Sequence, residues 1–228
     1  VLNKPPGLVM EPGPGHPHGT LREALLAHYG AEQRALGPDR DYGLVHRLDR
    51  DTSGVLLVAR SVAAYDALVA QFAERRVQKF YLTLVSGSLP MGNRILLRDP
   101  LLRIRTKSRT RVRASARGVQ AETQVRPLEL FLNGRYTLLE AMPRTGRTHQ
   151  IRVHLARHGT PVLGDADYGD PMANAQGARL WGLKRIFLHA QRIQFQDPLT
   201  RHPIEVEAEL PRDLAEVIHR LEERDREG

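Results

Sequence analysis

Charged residues that could do chemistry stand between two apolar runs in the first quarter of the chain. The segment RLDRD (residues 47–51) lies between Leu44-Val45 and the apolar residues 55–58. Arg47 and Asp49 share parity, so an extended backbone points both side chains to the same side. A positioned carboxylate acts as a general base or a nucleophile, but a carboxylate in a structural ion pair gives the same pattern. Asp49 is therefore a candidate catalytic group, with a structural ion pair as the alternative.

A second polar segment, PRTGRTHQIRVHLARHG (residues 143–159), combines a glycine turn with the predicted start of a helix. Free backbone N–H groups at a helix start attract anions, and Arg147 adds a positive charge there. A carboxylate such as that of Asp49 is one anion that this corner could receive. The segment also contains three histidines: His149, His154 and His158. The chain has no Cys and this spacing is not His-Glu-x-x-His, so we predict no metal site.

An aromatic residue, Tyr81, lies in the apolar run 80–85, which predicts a strand. A tyrosine in such a strand is most often part of the core. Its ring would also suit stacking on a nucleobase that has left its helix. The pattern alone leaves both interpretations of Tyr81 open.

Basic residues with a spacing of two form a basic stripe in the middle of the chain: Arg103, Arg105, Lys107, Arg109, Arg111 and Arg113. In one continuous strand they would share a face and could follow a phosphate backbone. A turn within the stripe would split the faces, and an edge strand protected by its charges is the other alternative. We expect the stripe to bind RNA.

The overall charge also favours a nucleic-acid partner. The 228 residues include 34 Lys and Arg against 26 Asp and Glu, a net charge of +8. The absence of Cys excludes disulfides and Cys-ligated zinc or iron–sulfur clusters. It also fits a cytoplasmic protein, which we expect here. No apolar run approaches the roughly 18–20 residues of a membrane span, so we expect no membrane partner. Walker A, Gly-x-Gly-x-x-Gly and Gly-x-Ser-x-Gly patterns do not occur, and nothing indicates an ATP, NAD or serine-hydrolase site.

Local signals place these residues on secondary structure. Capping residues followed by apolar residues at helical spacing predict helices over residues 21–30 (capped by Thr20 and Glu23), 61–76 (capped by Ser61), 149–157 (capped by Thr148) and 212–224. Strands are predicted over residues 80–85 and 136–141, and Asp51-Thr52-Ser53-Gly54 has the composition of a turn. Helices and strands do not alternate regularly, and no linker is visible. We therefore predict an α+β fold with a single domain over residues 1–228.

Motifs along nearly the whole chain together resemble those of one enzyme family: NKPPGL (3–8), HRLDRDTSG (46–54), KFY (79–81), TGRTHQIRVH (145–154), GDADYG (164–169) and LHA (188–190). They resemble the RluA-type pseudouridine synthases, and residues 3–30 are most similar to the RluD-like branch that acts on large-subunit ribosomal RNA. The resemblance implies an enzyme that isomerises specific uridines to pseudouridine in RNA, in 23S ribosomal RNA above all. The S4-like N-terminal domain common in that family is expected to be absent from this chain, either trimmed or never present.

The resemblance also implies a fold and roles for single residues. The fold would be a mixed, mostly antiparallel sheet with a central RNA-binding cleft, in a monomer that uses no cofactor and no metal. Asp49 would be the catalytic aspartate, and Arg147 would pair with it and keep it oriented and ionised. Tyr81 would stack on the flipped uracil, and Arg47 would fill the space that the flipped nucleotide leaves.

Two questions stay open at the level of the sequence. Asp49 could attack C1′ of the ribose, attack C6 of the base, or remove the 2′-hydrogen. The alternative functions are the same chemistry on transfer RNA, and an RNA-binding or ribosome-assembly factor of this fold without catalysis.

Overall fold

The computed structural model describes residues 1–13, 15–105 and 110–227, with Arg105 described by its backbone alone. Two residues of the basic stripe, Lys107 and Arg109, lie outside these ranges. Among the described residues, no helix has both the length and the apolar character that crossing a membrane requires.

The strands and helices of the described ranges are numbered in chain order. The strands are β1 (Leu2–Lys4), β2 (Ser53–Leu56), β3 (Gln78–Ser86), β4 (Ile95–Arg98), β5 (Leu101–Arg105), β6 (Thr110–Ala114), β7 (Glu122–Phe131), β8 (Tyr136–Pro143), β9 (Leu188–Gln196) and β10 (Pro203–Glu207). The helices are α1 (Leu21–Tyr29), α2 (Ala31–Leu36), α3 (Val62–Ala73), α4 (Gln150–Arg157), α5 (Pro171–Trp181) and α6 (Arg212–Arg226). A 3₁₀ segment, Pro38–Gly43, follows α2.

The chain forms two compact units, each built from two separate stretches. The first unit contains residues 1–79 and 190–208, and the second contains residues 80–189 and 209–228. Because each unit draws on distant parts of the chain, the sequence shows no linker composition between them. A single domain over residues 1–228 stays a prediction.

Sheet strands and one helix enclose the core of the first unit. β1 pairs antiparallel with β2, β2 neighbours β9, and β9 pairs antiparallel with β10. Val55 and Leu57 from the β2 region meet Ile193 and Phe195 of β9, and Leu68 of α3 covers them. The alternation of these residues along their strands puts one face of the sheet into the core.

A close approach of two backbones in the first unit explains the glycine at the end of the charged segment. Gly54 lies in β2 at φ +116°, and a Cβ on it would be 2.1 Å from the carbonyl oxygen of Ala190. Only glycine fits there. The turn predicted for residues 51–54 is thus wrong at its end, because Ser53 and Gly54 already belong to β2.

The second unit has a larger core between a sheet and two helices. Its sheet strands are ordered β3-β8-β7-β4 with antiparallel pairing, while β5 and β6 pair antiparallel in a separate two-stranded sheet. Trp181 of α5 and Leu214 and Val217 of α6 pack around Leu84 of β3. The ring of Tyr136 meets Trp181 edge-on, with centroids 4.7 Å apart. The antiparallel pairings in both units confirm the α+β class with a mostly antiparallel sheet, whereas the central RNA-binding cleft stays a prediction.

The capping signals at the start of α1 and α3 are confirmed. Thr20 and Glu23 make both bonds of the capping box, and Gly30 ends α1. The hydroxyl of Ser61 accepts from the backbone N–H of Ala64 at the start of α3. These are local interactions, which explains why a short stretch of sequence predicts them.

Boundaries of three helices differ from the prediction: α3, α4, and α6, which ends at Arg226 rather than at residue 224. α3 ends at Ala73 rather than at residue 75 or 76, because Arg75 adopts a left-handed conformation at φ +59°. The cap of α4 was predicted to be Thr148, which is wrong: His149, at φ +52°, occupies the N-cap position.

We expect Gly54→Ala to lower the free energy of unfolding by about 2–4 kcal/mol, because the new Cβ overpacks the β2–β9 contact and the positive φ disfavours alanine. The matched control is Gly19→Ala in the same unit, at φ +74° with no described atom within 4 Å of its Cβ position. Urea unfolding of both variants measures the difference. Equal losses would mean that the φ angle alone, and not the close approach to Ala190, requires a glycine.

Candidate functional site

Buried neighbours fix the backbone that carries Asp49. Leu48 and Thr52 are 3% and 2% exposed, and the backbone N–H of Thr52 donates to the carbonyl of Asp49 over 3.2 Å. Arg47 is exposed and Asp49 is partly exposed, so exposure alternates along residues 47–49 as their parity predicts. The side chains of Arg47 and Asp49 therefore lie on the same side of the backbone, and the nearby residues Leu48 and Thr52 are buried.

The second carboxylate of this segment has a nearby guanidinium partner. Arg50 contacts the carboxylate of Asp51 at 3.1 Å, and both side chains are about half exposed. An exposed ion pair of this kind contributes little to stability. This ion pair involves Asp51, and the ion-pair interpretation of Asp49 stays open.

A buried lysine, Lys4, ties the N-terminal loop to the segment of Asp49. Its side chain is 2% exposed, and its Nζ donates to the carbonyl oxygens of Pro5, Leu8 and Arg50, each at 2.9 Å. The backbone N–H of Gly7 donates to the same Arg50 carbonyl at 2.9 Å. An ammonium group has three N–H donors, so it can bond all three carbonyls at once. Sequence reasoning gave Lys4 no role, although a lone lysine directly before Pro-Pro-Gly signals a cation next to a fixed loop.

The histidine of the charged segment has a structural contact. Nε2 of His46 accepts from the backbone N–H of Leu57 at 2.9 Å, and its ring lies 4.9 Å from that of Phe72. Burial, with a smaller effect of the positive charge of Lys79, lowers the pKa of His46 from 6.5 to about 3. The neutral ring therefore joins residue 46 to the strand region at residue 57.

Arg147 lies in a turn whose backbone groups are already used. Its N–H donates to Oε1 of Gln150 at 3.0 Å, and its carbonyl accepts from the N–H of Gln150 at 3.2 Å. The prediction that free backbone N–H groups attract an anion at this turn is therefore wrong for the N–H of Arg147, which already bonds Gln150. The side chain of Arg147 is exposed, so the guanidinium is the group that this residue offers to an anion.

Tyr81 is a buried residue of β3. It is 8% exposed and stands opposite Ala141 of β8. Its burial agrees with the core interpretation, and its proposed contact with a uracil stays a prediction.

The three histidines of the second segment each bond a different protein group. Nδ1 of His149 lies 2.9 Å from the hydroxyl of Tyr168. His154 is fully buried, contacts Thr123 Oγ1 at 2.9 Å, and has a pKa lowered mainly by burial. Nε2 of His158 lies 2.8 Å from the carboxylate of Asp99. Within the described ranges, no group of three or more His, Asp or Glu side chains is placed to hold a metal ion.

A buried ion pair organises the motif around residues 164–169. The guanidinium of Arg152 bonds both oxygens of Asp165, at 2.7 and 2.8 Å, and reaches Asp167 at 3.0 Å. Burial alone would raise the pKa of Asp165, but the bonds from Arg152 hold it below its usual value. Arg152 also lies over the ring of Tyr168, whose hydroxyl accepts from the N–H of Val112 in β6. The pair thus fixes a tyrosine that joins α4 to the β5–β6 sheet.

The basic stripe is not one continuous strand. β5 and β6 pair with Arg103 opposite Val112 and Ile104 opposite Arg111. Residues opposite each other in antiparallel strands lie on the same face, so Arg103 shares one face with Val112. Arg111 and Arg113 lie on the other face. The single row of six cations is therefore wrong, because pairing divides the stripe between two faces.

The described arginines of the stripe are nevertheless available for contacts. Arg103, Arg111 and Arg113 are exposed, and none of them forms an ion pair with a carboxylate of the described residues. An open groove of about 670 Å³ runs between β6 and α4, and Arg113 and Arg157 are among the residues that line it. The second unit therefore presents unneutralised positive charge along β5 and β6.

Comparison with known proteins gives a family for this chain. The family model described as RNA pseudouridylate synthase matches residues 1–157. The chain is 40% identical to the ribosomal large subunit pseudouridine synthase D of Xylella fastidiosa, covering 98% of this chain and 66% of the relative. It is 42% identical to the ribosomal large subunit pseudouridine synthase C of Vibrio vulnificus, covering 97% and 66%. The chain belongs to the RNA pseudouridylate synthase family.

A solved structure supports the same assignment. The human RNA pseudouridylate synthase domain containing 4 superposes with a TM-score of 0.70 at 25% identity, covering 96% of this chain and 88% of the human one. The chain spans slightly less than two thirds of the length of the two bacterial relatives, 66% in each case.

The lowered pKa of His46 predicts a pH-dependent contribution to stability. Between pH 6.5 and about pH 3, His46 is protonated in the unfolded protein and neutral in the folded protein. The stabilisation is complete above pH 6.5 and decreases as the pH falls, by up to about 1.4 kcal/mol per pH unit.

The measurement compares urea unfolding of the wild type and His46→Gln at several pH values from 7.5 to 5. We expect the stability advantage of the wild type to shrink below pH 6.5, since glutamine does not titrate. An advantage that stays constant over this range would contradict a neutral His46 in the folded protein.

Proposed function

We propose that this chain isomerises specific uridines of RNA to pseudouridine, with Asp49 as the catalytic group. The observation that supports this most is the fixed backbone of residues 48–52, which holds an aspartate that stays partly exposed, in a chain of the RNA pseudouridylate synthase family. The reaction breaks the bond between N1 and C1′, turns the base, and joins C5 to C1′. C5 then loses its proton and N1 gains one, so the product is an isomer of the substrate. The base must leave its stack and be held while it is detached.

A carboxylate suits each route that this reaction could take. It can act as a nucleophile at C1′ or at C6, or as a base at C2′. We propose that the guanidinium of Arg147 keeps this carboxylate ionised and oriented, since a nearby positive charge favours the anionic form. Tyr81 is proposed to contact the detached uracil, and Arg47 to fill the space that the nucleotide leaves. The proposal includes no cofactor and no metal.

Large-subunit ribosomal RNA is the proposed substrate. Relatives named ribosomal large subunit pseudouridine synthase D and C are similarly close, at 40% and 42% identity, so we propose a substrate class rather than one uridine. Monomeric state and cytoplasmic location are part of this proposal as well.

Mapping pseudouridines in cells with and without the protein shows whether the modified uridines lie in ribosomal RNA or in transfer RNA. New pseudouridines in transfer RNA alone would contradict the proposed substrate.

We expect Asp49→Asn to lower single-turnover pseudouridine formation by at least about 100-fold, with RNA affinity changed only a few-fold. The matched control is Asp51→Asn, two residues along the same segment, where the lost carboxylate is that of an exposed ion pair. This variant should stay within a few-fold of the wild type. An active Asp49→Asn variant would favour the non-catalytic RNA-binding factor or a different catalytic residue.

The divided basic stripe predicts that one face of the β5–β6 sheet dominates RNA binding. If Arg111 and Arg113 contact phosphates, their joint replacement by Gln reduces the slope of log affinity against log salt by about 1.5, since each lost contact removes roughly 0.7–0.9. Arg103→Gln tests the opposite face in the same assay.

The control for this experiment is Arg212→Gln on α6, an arginine whose side chain is 92% exposed. Replacing it changes the net charge without touching the stripe. An unchanged slope in both stripe variants would exclude β5 and β6 from the RNA contact.

A further inference from the structure

A single buried amide holds the turn that carries Arg147. Gln150 is buried, with 4% of its surface exposed. Its Oε1 accepts from the hydroxyl of Thr145 at 2.6 Å and from the N–H of Arg147 at 3.0 Å. Its Nε2 donates to the carbonyl of Glu122 at 2.8 Å and to Oγ1 of Thr123 at 2.9 Å. Both donors and both acceptor positions of the amide are therefore used.

These bonds join the turn to the first residues of β7. Oγ1 of Thr145 also accepts from the N–H of Glu122 at 3.1 Å, and the N–H of Arg144 donates to the carbonyl of Glu122 at 2.9 Å. Residues 144–147 are thus bonded to a paired sheet strand through several groups. Buried hydrogen bonds are costly to leave unsatisfied, so the turn has little freedom to move on its own.

The arrangement separates a rigid backbone from an exposed charge. Gln150 bonds the main chain of Arg147, while the guanidinium of Arg147 remains exposed. A long side chain on a fixed backbone loses less conformational entropy when it must hold one position than a side chain on a mobile loop. Misplacement of a reacting or charge-stabilising group by about 1 Å is enough to slow a reaction about 100-fold.

We propose that Gln150 is a positioning residue for the reaction, acting through Arg147. It holds the backbone of Arg147 in one position. The guanidinium therefore has fewer positions to sample before it contacts an anion in the active complex. This inference depends on the proposed function. It adds that catalysis, and not RNA affinity, depends on Gln150.

The test replaces the amide by a carboxylate of the same shape. Gln150→Glu keeps the oxygen that faces Thr145 and Arg147 but puts a second oxygen against the carbonyl of Glu122. We expect kcat to fall by about 10- to 100-fold, while KM and RNA affinity stay within about threefold. Thr145→Val, which removes one bond to Gln150, should give a smaller loss of the same kind.

The matched control is another amide of the second unit that bridges two backbone groups. Asn174 accepts from the N–H of Gly164 at 2.7 Å and donates to the carbonyl of Asp165 at 2.9 Å. Asn174→Asp should lower stability without changing kcat at a temperature where the protein is folded. A loss of kcat equal to that of Gln150→Glu would show general loosening of the unit and overturn the proposal.

A double-mutant cycle with Arg147→Ala decides whether Gln150 acts through Arg147. In the Arg147→Ala background, Gln150→Glu should change kcat by less than about threefold, because coupled residues are not additive. Full additivity of the two losses would overturn the positioning role. A wild-type protein that forms no pseudouridine would instead refute the proposed function, and the two failures are thereby distinguished.

Discussion

The candidate catalytic segment depends on the hydrogen bonds that the buried ammonium group of Lys4 donates. A cation removed from water loses a large hydration energy, and it is tolerated only if other groups replace the water. The three carbonyl oxygens around Nζ do so, and one of them belongs to Arg50, the residue after Asp49. The backbone at Asp49 therefore cannot shift without leaving part of a buried charge unsolvated.

Polar side chains bond both turns that carry the proposed catalytic charges, and the buried Leu48 adds apolar packing at the turn of Asp49. Lys4 holds the turn of Asp49, and Gln150 holds the turn of Arg147. Hydrogen bonds are directional and have a narrow range of lengths, whereas apolar contacts tolerate sliding and repacking. A site that needs charges in set positions benefits from the first kind of restraint. Its cost is that each donor and acceptor must be satisfied, and both side chains meet this condition.

The sequence predicted the structural features that depend only on residues close together along the chain. The capping box of α1, the cap of α3 and the parity of Arg47 and Asp49 are all local, and the structure agrees with them. The acceptors around Lys4 and Gln150 come from other segments of the chain, so a reading along one stretch assigns them no role. The resemblance to a family named the motifs that contain both residues, but it did not reveal their bonds.

Two of the wrong predictions have other causes. The sequence alternates along residues 103–113 in the same way for one long strand and for two paired strands. Residues 106–109, TKSR, include no Gly, Pro or Asn, the residue types that most often interrupt a strand pattern. Only the register of β5 against β6 shows that Arg103 and Arg111 lie on different faces. The cap of α4 was assigned to Thr148 because threonine is a good capping residue, yet the chain enters that helix through a left-handed His149 instead.

The contact between Gly54 and Ala190 also sets an order of events during synthesis. Residues 190–208 complete the sheet of the first unit, yet they leave the ribosome only after residues 80–189 have been made. Until then the emerging chain carries Asp49 on a sheet that lacks β9 and β10, and Val55 and Leu57 lack their apolar neighbours Ile193 and Phe195. The first unit thus assembles late and through contacts between distant residues, which slows folding and lengthens the exposure of its core. A truncation that removes residues 190–208 would therefore disrupt the segment of Asp49, although the two are far apart along the chain.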